Sequence, residues 1–117
     1  MRNHNTLGAL EDAHHEAVVT AKRRIENAEE YVASYRSQMN RMQETFHELA
    51  TQEGLADDAG FRLELQQISD EAEEEVRRAS QAIIRLEDDL SAMTTRHAHE
   101  RERFLQGQHE TADRSLK

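Results

Sequence analysis

His14-His15 and His97-Ala98-His99-Glu100 are the residues of this chain whose types best suit chemistry. Imidazoles and a carboxylate gathered in one place are zinc ligands. On a helix, however, a His-x-His pair points its two rings about 200° apart, so neighbours in the chain do not converge on one ion. A second reading makes His14 and His97 a pH-sensitive element, because both interrupt an otherwise apolar rhythm and imidazole titrates near neutrality. The third and plainest is that a hydrophobic seam ends in polar residues that water solvates, and this one is favoured.

The acidic run Asp70-Glu71-Ala72-Glu73-Glu74-Glu75 invites a cation site. Wound on a helix, its carboxylates radiate in different directions, and Arg77 and Arg78 follow at pairing offsets. A solvated, self-paired face is the better reading. Lys22-Arg23-Arg24 is likewise answered by Glu26, Glu29 and Glu30. No Ser/His/Asp or Cys/His arrangement, phosphate-cradling glycine loop or helix-borne metalloprotease motif occurs. No catalytic residue, cofactor or metal is therefore expected, and the chain is not expected to be an enzyme. A net charge of -9 argues against nucleic acid and anionic membrane as partners, since both require a basic face. Without cysteine there is neither disulfide nor thiolate metal site. No apolar run is long enough to insert into a bilayer, and Met1-Arg2-Asn3 leads into polar sequence, not into a cleavable signal.

What positions these residues is a three-four apolar rhythm. It runs through Val18, Ala21, Ile25, Ala28, Val32, Tyr35, Met39, Met42, Phe46 and Leu49. It resumes at Leu65 and Ile68 and continues through Ala72, Val76, Ala79, Ile83, Leu86, Leu90 and Met93. A spacing of 3.5 marks a coiled-coil seam, and the absence of proline leaves both helices unbroken. Met39 and Met42 are core filler on this seam. Gln52 to Gly60 interrupts it, with Gly54 fit to end one helix and Asp57 or Asp58 fit to cap the next. The expected fold is all-α, a single antiparallel two-helix hairpin. Helix 1 covers about residues 7–53, the turn residues 54–60 (Gly54, Asp57, Asp58, Gly60), and helix 2 about residues 58–110, with frayed ends including Thr111 to Lys117. A turn centred near Asp57 pairs residues whose numbers total about 115. Leu49 then meets Leu65, Phe46 meets Ile68, Met42 meets Ala72, Tyr35 meets Ala79 and Val32 meets Ile83, so large residues repeatedly face small ones. Extended outward, the seam turns polar at His14, Glu11, His97 and Glu100, with Leu7 and Phe104 beyond.

One seam between two helices buries little surface, so a partner is expected. Leu10, Ala17 and Tyr31 on helix 1, and Ile84, Ala98 and Leu105 on helix 2, recur at multiples of seven beside the seam. They are the expected partner-binding stripes, placed along the open half of the hairpin.

The layout resembles the small helical-hairpin proteins of Gram-positive type VII (Esx) secretion, which are acidic and cysteine-free and carry Trp-x-Gly in the turn. Here Gln52-Glu53-Gly54 supplies the glycine and not the tryptophan. Their Tyr-x-x-x-Asp/Glu export signal has no match, the nearest segment being Phe104-Leu105-Gln106-Gly107-Gln108. The chain is more similar to the accessory proteins encoded beside LXG-domain toxins, hairpins without the tryptophan whose second helices are rich in Glu and Arg, as in Glu73 to Arg78 and Arg101-Glu102-Arg103. That resemblance implies a targeting factor or chaperone binding the helical domain of a secretion substrate, in the cytoplasm or exported with its cargo. The alternative is a homodimeric coiled-coil scaffold unrelated to secretion.

Overall fold

The computed structural model describes residues 6–115; the opening Met1-Arg2-Asn3 lies outside them. Two helices make up the fold, α1 from Leu7 to Gln52 and α2 from Ala59 to Ser115, in a helical hairpin. Thr6 caps α1, its side-chain oxygen accepting from the Ala9 amide at 3.0 Å. The far end of α2 departs from expectation. Thr111 to Ser115 are helical and not frayed, because nothing from Glu110 onward breaks a helix and each residue adds a backbone hydrogen bond at little cost.

The connection between the helices is short and fully specified. Gly54 adopts φ of 69°, the left-handed conformation that ends α1. The Leu55 amide then donates back to the Ala50 carbonyl at 2.7 Å, the six-residue closure of a Schellman motif. The Asp58 amide donates to the Leu55 carbonyl at 2.9 Å. Asp58, not Asp57, is the cap of α2: its Oδ1 accepts from the Phe61 amide at 2.9 Å, and its carbonyl accepts from Arg62 at 3.1 Å. Gly60 is thereby drawn into the first turn of α2 and is not part of the loop.

This shorter loop resets the register. The chain forms two compact units, residues 26–84 and residues 1–25 with 85–117. In the first, Gln43 donates to the Ser69 hydroxyl at 2.9 Å, a pair whose numbers total 112. In the second, Arg101 pairs with Glu11 at 2.8 Å and His14 stacks on His97, totals of 112 and 111. The register expected from a turn centred at Asp57 is therefore off by about one helical turn. Phe46 stands level with Leu65, not with Ile68, and Val32 with Ala79, not with Ile83.

The seam of α1 is also corrected. From Val18 to Met39 burial follows the expected positions, but it then passes to Gln43, Phe46 and Ala50. Ala50 is 3% exposed, whereas Leu49 is 45% exposed and Met42 is exposed as well. A helix of 3.6 residues per turn drifts about 20° per heptad against a strict 3.5 repeat. Two successive four-residue steps, Tyr35–Met39–Gln43, take up that drift and carry Met42 and Leu49 out of the seam. On α2 the expected set Leu65, Ile68, Val76, Ile83, Leu86, Leu90 and Met93 is half-buried as a row, with Ala72 buried. Phe61 extends that row toward the turn.

Ala50→Asp is expected to destabilise the hairpin by about 3 kcal/mol or more, since it buries a charge without a partner. Leu49→Asp, one residue away, is expected to cost below about 1 kcal/mol, as surface changes do. Urea melts followed by circular dichroism will rank the two; the reverse order would restore the strict heptad seam.

Candidate interaction surface

The histidines come together across the hairpin, but only two of them. His14 and His97 are half-buried, with ring centroids 3.4 Å apart and planes 4° from parallel. His15 and His99 point to water. Face-to-face rings aim their nitrogens alongside each other, not toward a common point, which does not suit shared metal ligation. Among the described residues no group of three or more His, Asp or Glu is placed to hold a metal ion. His97 Nδ1 is buried without a hydrogen-bond partner. Burial, together with the facing His97 and against the pull of Glu100, holds His14 below its ordinary value of 6.5. The exposed Glu11–Arg101 ion pair lies about one turn further out, beside the buried Leu10.

Leu10 and Ala17, expected on an outer stripe, belong elsewhere. Leu10 is 8% exposed and part of the core, and Ala17 is half-buried along a groove with Ala13, Ala21 and Met93. Seven-residue spacing drifts about 20° per heptad, so Leu10 sits in the seam while Tyr31, three heptads on, has rotated to its flank. Tyr31 and Ile84 are 54% and 57% exposed; Ala98 and Leu105 are exposed too. On α2 all three expected residues stay exposed, so it is the α1 set that does not form a continuous stripe.

The charged runs divide by their order in the chain. Glu74 pairs with Arg77 at 3.0 Å and Glu75 with Arg78 at 3.5 Å, as their spacing predicts. Lys22, Arg23 and Arg24 close no ion pair among the described residues; there the base precedes the acid, the weaker orientation on a helix.

The flanks of the seam differ in character. One is polar: Gln43 and Ser69 lie in an open groove with Asn40, Glu44, His47, Glu48, Arg62 and Gln66. Gln43 was hidden in the sequence by its polarity, and only its four-residue distance from Met39 and its three-residue distance from Phe46 marked it. The other flank carries exposed apolar residues of α1. Comparison with family models, curated proteins and solved structures finds no match. No helix of the described residues is long and apolar enough to cross a membrane.

His14, in its stacked position, generates a pH dependence of definite sign. A histidine held below its unfolded value binds fewer protons in the hairpin than in the unfolded chain between those two values. Stability is therefore full above pH 6.5 and falls as pH drops below it. Thermal melts between pH 8 and pH 5 are expected to show this loss, and His14→Gln to shrink it. An unchanged profile in the variant would show that the pair does not couple to folding.

Proposed function

We propose that the protein is a non-catalytic helix-binding subunit that completes a helical bundle with another protein. The observation that supports this reading is surface left over. Only Leu10, Val32, Ala50 and Ala72 are buried among the described residues, and no side chain is completely enclosed. A single thin seam of this kind is stabilised when a further helix packs on it.

On the resemblance carried by the Gln52-Glu53-Gly54 turn and the Glu/Arg-rich second helix, the partner is the helical domain of a type VII secretion substrate of the LXG class. The protein then acts as targeting factor or chaperone, in the cytoplasm or exported with its cargo. The net charge of -9 supports a partner of a different kind over a second copy, because self-association concentrates like charge.

Light scattering on the eluting peak, with the chain alone and mixed with the helical protein encoded beside it, tests this. A stoichiometric complex is expected. A tight self-dimer that ignores the added protein would establish the homodimeric scaffold in its place.

A further inference from the structure

Within the unit of residues 26–84, one flank of the seam combines two features. Tyr31, Met42 and Leu49 fall within about 20° of one another around α1, on the side of the seam away from Gln43. All three are exposed, and the Tyr31 ring stacks on Tyr35 at 6.2 Å, which joins the stripe to the seam. Helix geometry places Glu64, Glu71 and Glu75 on the corresponding side of α2, away from Ser69. The register sets these carboxylates level with the stretch of α1 from Leu49 to Tyr35. Glu64 and Glu71 are exposed and take part in no ion pair among the described residues; Glu75 meets Arg78 at 3.5 Å. The flank is therefore apolar along one helix and acidic along the other; the groove of Gln43 and Ser69 also carries carboxylates, Glu44 and Glu48, but none of the exposed large apolar residues.

We propose that this flank docks one amphipathic helix of a partner protein, about 18 residues long to match Tyr31 to Leu49 at 1.5 Å per residue. Its apolar face lies along α1, and Lys or Arg side chains line its edge over α2. The occupant follows from charge complementarity. A second copy of this chain would bring its own carboxylates and a net charge of -9 to the same acidic edge, whereas a basic edge neutralises Glu64 and Glu71. The site rests on the helix-binding reading above and gives it a location, nearer the turn than the open half.

The probe is a labelled synthetic helix with a leucine face and a lysine edge, titrated with the full chain by fluorescence anisotropy. Its companions are the same helix with glutamate for lysine and a scrambled sequence of the same composition. Glu64→Gln with Glu71→Gln, and separately Met42→Ser with Leu49→Ser, are expected to weaken binding at least about tenfold, as truncated interface anchors do. Glu44→Gln with Glu73→Gln removes the same charge from the other flank and is expected to change it less than about twofold. Circular dichroism of each variant checks that helicity is retained. Equal loss from both glutamine pairs would mean attraction by net charge alone, and equal binding of the glutamate helix would remove the charge argument; either overturns the site. If the co-encoded helical protein binds but ignores the first two variant pairs, the site is wrong and the helix-binding reading stands. If no helix binds and the chain alone elutes as a dimer, both fall.

Discussion

Ala21, Ala28, Ala50, Ala72 and Ala79 each stand level with a large apolar residue of the other helix: Leu90, Ile83, Phe61, Met39 and Val32 in turn. This alternation lets two helices close together along a single line of contact, and everything else in the structure follows from it. Close approach is what buries Ala50 and Ala72; polar side chains enter the seam in matched pairs, Gln43 bonded to Ser69 and His14 stacked on His97. It also limits the core. A line of small-on-large contacts shields few side chains completely, so much apolar surface stays in water.

The turn decides which large residue meets which alanine. A left-handed glycine and an aspartate cap fix its length, and the length fixes the register. Because apolar positions recur every three or four residues, sliding one helix by a turn also brings seam onto seam and also faces large residues with small ones. Size complementarity alone cannot choose between those registers. The Asp58 cap chooses, by taking Gly60 into α2.

The two units use the seam differently. In the unit of residues 1–25 and 85–117 the apolar line is interrupted by stacked imidazoles and flanked by an exposed ion pair that salt screens. In the unit of residues 26–84 the seam is apolar except at Gln43 and Ser69, and its drift leaves Met42 and Leu49 on a flank beside carboxylates that form no ion pair among the described residues. The drift that made the heptad reading of α1 fail is thus what creates an exposed apolar flank.

The sequence by itself determined the fold class, both helices, the hairpin, the glycine that ends α1, the row of buried positions on α2 and the Glu–Arg pairs after Asp70. These depend on periodicity and on local chemistry between residues a few positions apart, which a linear chain displays directly. The His14–His97 pairing was legible as well, because both interrupt the same rhythm. Only the tertiary structure decided the register, the inclusion of Leu10 and Ala50 in the core, the passage of the seam through Gln43, and the division of Tyr31 from Leu10. The reason is one of small angles. A mismatch of about 20° per heptad is invisible over one turn of helix, yet over three heptads it moves a side chain from the seam to its flank.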